Sequence, residues 1–154
     1  MKLNPGSILL SFLLFSCTLK DKEHRPAPAD NPLIGTWELV SGTTIQGKDT
    51  TVTDYSKGKK FLKIINSTHF SFVGHDLNMG RDSLAFYTSG SGSYSLIDRV
   101  YIEHLQFCND RAWEGHDFTF HVELKDDSLI QSGIEKIDSI GVNRMNIERY
   151  IRMK

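Results

Sequence analysis

Residues 116–124 alternate without interruption: Phe118, Phe120, Val122 and Leu124 fall on one face, Asp117, Thr119, His121 and Glu123 on the other. Successive side chains of an extended chain point to opposite sides, so this period of two requires a strand with one face buried and one in water. The rest of the chain follows the same constraint. From Thr36 onward no segment carries a helical period, and short runs of β-branched and aromatic residues recur between turn formers. Expected strands are 36–44, 59–65, 69–73, 82–88, 93–97, 100–107, 116–124, 128–133 and 143–153, with 50–58 an edge strand or a loop. Asn66-Ser67-Thr68 and Lys125-Asp126-Asp127 read as hairpin turns, and Ser89-Gly90-Ser91-Gly92 as a sharp bend or bulge between two strands. Eight or nine sequential strands on short turns need no crossover helices, and closing the sheet removes its edges. The expected fold is all-β: an antiparallel up-and-down barrel over residues 33–154.

The N-terminus reads differently. Residues 1–16 hold a short basic start and the apolar run Ile8-Leu9-Leu10-Ser11-Phe12-Leu13-Leu14-Phe15, too short for a bilayer span of roughly 20 residues and suited to an export signal. Leu14-Phe15-Ser16-Cys17 resembles a bacterial lipobox, with Phe15 standing where a smaller residue is usual. Lipidation at Cys17 would tether the mature chain to a membrane, and the expected address is an outer-membrane lipoprotein facing the periplasm or the cell surface. Residues 17–32 mix charge with spaced prolines and read as an extended tether, about 40 Å long at 3.1 Å per residue. Lys20-Asp21-Lys22-Glu23 resembles a surface-export signal of some Gram-negative lipoproteins; a plain soluble linker accounts for the same residues.

Charge narrows the partners. Eighteen basic and nineteen acidic side chains, with no basic stripe, argue against nucleic acid. Of the two cysteines, Cys17 is assigned to lipid, so Cys108 has no intramolecular partner and no disulfide is expected. The six histidines are scattered: His116 and His121 would face opposite ways on a strand, and no His-Glu-x-x-His or paired-Cys spacing occurs. Neither a metal nor another cofactor is expected, and no nucleophile elbow or phosphate-binding glycine loop points to an enzyme.

Gly35-Thr36-Trp37 opens the first strand, where glycine lets the chain enter sharply and a large aromatic fills a narrowing floor. With Lys63-Ile64-Ile65-Asn66-Ser67-Thr68-His69-Phe70, Gly92-Ser93-Tyr94-Ser95-Leu96, Tyr101-Ile102-Glu103-His104-Leu105, Gln131-Ser132-Gly133 and Tyr150-Ile151-Arg152, it resembles a lipocalin-like domain family of small Gram-negative lipoproteins. The resemblance implies a lipocalin-like barrel whose biochemical role is undefined, since such scaffolds host carriers, isomerases and inhibitors. It also implies a basic residue over the opening Trp. Arg152 is favoured over Arg149 because Tyr150 and Glu148 would share its inward face.

Within 100–107 only one of Glu103 and His104 can look inward. The set Tyr101, Glu103, Leu105 and Phe107 is favoured, because it brings two aromatics inside. Glu103 would then be a carboxylate in an apolar wall, paired with Arg152 or with a ligand cation. The expected ligand site comprises Phe72, Tyr94, Tyr101, Glu103, Phe118, Phe120 and Tyr150, with Gly35, Trp37 and Arg152 at the floor. The expected function is binding of a small apolar or amphipathic molecule, without catalysis. The alternative is a protein-interaction or inhibitory module of the cell envelope, using exposed loops around His75 and Trp113.

Overall fold

The computed structural model describes residues 31–83 and 85–154. The expected export signal, Cys17 and the tether as far as residue 30 lie outside the described residues. Nine antiparallel strands follow one another: β1 (Gly35–Gln46), β2 (Asp49–Asp54), β3 (Lys59–Ile65), β4 (His69–Asp76), β5 (Tyr87–Ile97), β6 (Val100–Cys108), β7 (His116–Lys125), β8 (Ser128–Ile137) and β9 (Val142–Arg152). Short 3-10 turns at Arg111–Trp113 and Asp138–Ile140 interrupt the last connections.

Each strand from β3 to β9 pairs with its successor, and β9 returns to pair with β1. The other edge of β1 is shared. Gly35–Glu38 pairs with β3, whereas Ser41–Gln46 pairs with β2. The result is the expected up-and-down barrel, closed through eight strands, with β2 as an extra strand beside the upper half of β1. A register shift between Leu39 and Ser41 against β9 bends β1 where it changes partners.

Three expectations need correction. Residues 82, 83, 85 and 86 are not strand, and the Ser89–Gly92 run lies inside the single strand β5 rather than between two strands. A bulge is present there: Ser91 and Gly92 are neighbours on β5, but their partners on β6 are Phe107 and Leu105, leaving Gln106 as the extra residue. That residue turns Phe107 outward, where it is 67% exposed, so Phe107 does not share the inward face of Tyr101, Glu103 and Leu105.

The core is aromatic and aliphatic, and it is densest at one end. Trp37, Leu39, Ile65, Phe70, Tyr101, Leu129 and Tyr150 are almost wholly buried, together with Leu33 from the segment that precedes β1. The floor is closed by that segment. Leu33 N–H donates to the Asn31 side-chain oxygen (2.9 Å), Trp37 Nε1 donates to the Leu33 carbonyl (2.8 Å), and Asn31 Nδ2 donates to the Tyr94 hydroxyl (2.7 Å). The chain therefore enters at the closed end. The long connections 77–86 and 109–115 lie at the opposite end, beyond β4 and β6.

Candidate functional site

Above the packed floor the barrel holds a cavity of about 460 Å³. Its size falls in the range of small-molecule sites, roughly 300–1,000 Å³. Residues from all nine strands form its walls, reaching down to Lys63, Gln131 and Tyr150. Phe61, Phe72, Leu105, Phe118, Phe120 and Tyr150 line it from β3, β4, β6, β7 and β9, while Tyr55, Phe86 and Trp113 reach in from the connections.

The connecting loops are held in place by polar contacts. Asp76, the last residue of β4, accepts the backbone N–H groups of Asn78, Gly80 and Phe86, which fixes the 77–86 loop and brings Phe86 to the mouth. Those bonds hold the Asp76 carboxyl below its ordinary range. Asp110 caps the Arg111–Trp113 turn by accepting the N–H of Ala112. Trp113 packs on Phe118 at 5.7 Å and lies under the Arg144 guanidinium at 5.2 Å. Its ring is thus part of the cavity wall rather than an exposed contact surface. Tyr55, Phe61, Phe72 and Phe86 form one aromatic wall, with Phe61 and Phe72 stacked at 5.6 Å and Tyr55 edge-on to both Phe61 and Phe86.

Charged groups sit among these rings. Lys63 on β3 is 2% exposed and donates to Glu103 Oε1 (2.6 Å) and to Gln131 Oε1 (2.9 Å). Its ammonium also lies 5.4–5.8 Å from the Phe70, Tyr101 and Tyr150 ring centroids. Burial pushes the Glu103 carboxyl above the ordinary carboxylate range, and Lys63 pulls it back. Higher up, Glu135 accepts from Arg144 Nε (2.6 Å) and Asn146 Nδ2 (2.9 Å), and burial again raises the carboxyl against the pull of Arg144. Glu148 accepts from the Tyr150 hydroxyl at 2.8 Å. Burial, then the neighbouring Glu148 charge, drives the Tyr150 hydroxyl well above its usual range; burial and Glu103 do the same to Tyr101. The Tyr101 hydroxyl is buried, and among the described residues it makes no hydrogen bond of good geometry.

Of the residues expected to bind ligand, Phe72, Glu103, Phe118, Phe120 and Tyr150 line the cavity, and Tyr94 and Tyr101 do not. Tyr94 belongs to the floor, where its hydroxyl accepts from Asn31 and donates to the Asn66 carbonyl. Tyr101 is packed at 5.2 Å against Tyr94 with no exposed surface. Gly35, Trp37 and Arg152 meet at the floor. Gly35 has φ = 145°, and a Cβ there would stand 2.6 Å from the Arg152 guanidinium. The pairing partner of Glu103 is Lys63 rather than Arg152. His104 points outward, with its Nδ1 2.7 Å from Asp117 Oδ1.

No protein-family model matches the chain, and no curated protein matches it. The solved structures that resemble it include the following two. An uncharacterized protein from Bacteroides eggerthii DSM 20697 shares 14% identity at a TM-score of 0.46, covering 78% of this chain and 98% of that one. A point mutant of the fluorescent protein UnaG shares 11% identity at a TM-score of 0.37, covering 79% of this chain and 96% of that one.

Lys63, Gln131, Glu135, Arg144 and Glu148 were not among the expected site residues. A signal for Lys63 is present in the sequence: it alternates with Phe61 and Ile65, both buried, so it occupies an inward position of β3. Among the described residues, no group of three or more His, Cys, Asp or Glu is arranged to hold a metal ion.

Proposed function

We propose that this protein is a lipid-tethered, lipocalin-like barrel that takes a small amphipathic molecule through its open end and binds it without catalysis. The observation that carries the reading is the 460 Å³ cavity. It opens away from the end where the chain enters, and its wall is shared about equally between aromatic or apolar side chains and polar ones, among them Lys63, Glu103, Gln131, Glu135, Arg144 and Glu148. A barrel serving only as a scaffold gains from filling such a space, because empty volume in a core costs stability. The Cys17 lipobox supports an envelope address, and the tether would leave the barrel free of the membrane surface.

Native mass spectrometry of the full chain, purified gently from its own host, tests the binding reading. A bound small molecule of fixed mass, displaced by a hydrophobic dye that binds at micromolar concentration, is the expected result. Absence of any adduct, with no dye binding at millimolar concentration, would remove the carrier reading. The address is tested separately: Cys17→Ser should abolish both the acyl mass on the mature N-terminal peptide and partition with membranes.

A further inference from the structure

The cavity is lined by four carboxylates, those of Glu103, Asp110, Glu135 and Glu148, and by only two cations, Lys63 and Arg144. Each cation already has a carboxylate at 2.6 Å: Lys63 holds Glu103, and Arg144 holds Glu135. Asp110 is exposed and acts as the cap of the Arg111–Trp113 turn. That leaves Glu148. It is half-buried, lines the cavity from β9, and has the Tyr150 hydroxyl as its hydrogen-bond partner. No Lys, Arg or His among the described residues forms an ion pair with it.

The surroundings of Glu148 combine polar and aromatic groups. Its cross-strand partners are Gln131 on β8, which accepts from Lys63, and Gly42 on β1. The missing side chain at Gly42 leaves room for the Tyr55 ring, which a Cβ would meet at 3.2 Å. The Tyr55 and Tyr150 rings therefore lie beside one carboxylate at the edge of an aromatic cavity. A carboxylate among π-faces suits one class of ligand head group above others. An ammonium or amidinium gains both an ion pair and the negative faces of the rings. A carboxylate, sulfate or phosphate would meet an excess of like charge, and an uncharged head would leave Glu148 without its counter-ion.

We propose that the ligand is a small organic cation, with an apolar body against Phe61, Phe72 and Phe118 and a positively charged head at Glu148. This rests on the binding reading above and narrows it to a ligand class. Glu148 acts on the groups around it: burial first, and its charge as a further cause, raise the titration of Tyr55, Tyr101, Glu103, Glu135 and Tyr150, while Arg144 opposes this at Tyr55 and Glu135 and Lys63 opposes it at Glu103. The chemistry differs from a metal site, since one carboxylate and a phenol supply too few ligands for a metal ion.

Three probes with the same body separate the possibilities: 4-phenylbutylamine, 4-phenylbutanol and 4-phenylbutyrate, titrated calorimetrically into the full chain. The amine should bind at least about tenfold more tightly than the alcohol, and the carboxylate more weakly than either. In Glu148→Gln the amine should fall to the affinity of the alcohol, whose own binding is unchanged. Glu148→Asp, which keeps the charge, should retain a preference for the amine. If the alcohol binds and the amine gains nothing, or the preference survives Glu148→Gln, the cation assignment fails and the binding barrel stands. If none of the three binds at millimolar concentration, both fail. The ranking in the unsubstituted protein decides the matter even if a variant does not fold.

Discussion

The guanidinium carbon of Arg152 stands 4.0 Å from the centroid of the Trp37 ring, and its two terminal nitrogens donate to the carbonyls of Ile34 (2.9 Å) and Pro32 (2.7 Å). The last strand thus clamps the segment that enters the first. Trp37 and Arg152 are also direct cross-strand partners, so the contact is fixed by the same register that closes the barrel. Closure and floor are one arrangement.

Trp37→Ala should therefore destabilise the domain by roughly 3–5 kcal/mol, the usual cost of emptying a buried aromatic site. Arg152→Met, which keeps the aliphatic stem but removes two charge-assisted hydrogen bonds, should cost about 1.5–3 kcal/mol. Urea unfolding of each variant measures both. A loss within about 0.5 kcal/mol for Trp37→Ala would mean that the ring does not anchor the floor.

The Lys63–Glu103 pair makes a different kind of prediction. Removing one partner leaves an uncompensated buried charge, so Lys63→Met should cost about 3–5 kcal/mol. Replacing both, as Lys63→Met with Glu103→Leu, should recover most of that loss, because a well-packed apolar pair avoids desolvation altogether. If the double variant is as unstable as the single, the pair contributes something beyond charge balance, such as the Gln131 hydrogen bond.

Stability should pass through a maximum near the ordinary carboxylate range. Glu103 and Glu135 titrate above the ordinary value of 4.5, burial being the main cause. The folded protein holds their protons more tightly than the unfolded chain does, so their contribution is full below 4.5 and is lost as pH rises through the folded values. Asp54, Asp76 and Glu114 titrate below their ordinary values, chiefly through hydrogen bonds from Ser56, Gly80 and Cys108 respectively. Their contribution is present above the ordinary values and is lost as pH falls. Denaturation measured from about pH 3 to pH 7 should show both limbs. Glu103→Gln should flatten the upper limb and leave the lower one unchanged; a steeper upper limb would contradict the assignment.

Much of the barrel was legible because alternation reports directly which way a side chain faces. Phe118, Phe120 and Val122 are buried as their period of two requires, and Glu103 lies inside with His104 outside. Alternation fails where one residue is inserted. Gln106 reverses the facing of everything after it on β6, and no residue type in Leu105-Gln106-Phe107 marks the bulge. It also reports face without height. Tyr94 and Tyr101 face inward as expected but sit at the level of the floor, which depends on the pairing of β5 with β6 rather than on either strand alone. Lys63 is hidden in the sequence for a further reason. A lysine reads as a solvent residue unless its partner, here 40 positions away, is known.

The final prediction separates a cavity from a core by adding volume at two positions on the same face of one strand. Leu105 and Tyr101 are both buried on β6, but Leu105 borders the cavity and Tyr101 does not. Leu105→Trp extends a side chain into free space, so the fold should lose less than about 1 kcal/mol while the space for a ligand shrinks. Tyr101→Trp forces a larger ring against Tyr94 and the Lys63 pair, where no space exists, and should cost about 1–3 kcal/mol. A hydrophobic dye should accordingly bind Tyr101→Trp nearly as well as the unsubstituted protein, and Leu105→Trp at least about tenfold less tightly. Equal destabilisation by the two substitutions, with dye binding unaffected by either, would mean that the space beside Leu105 does not receive a ligand.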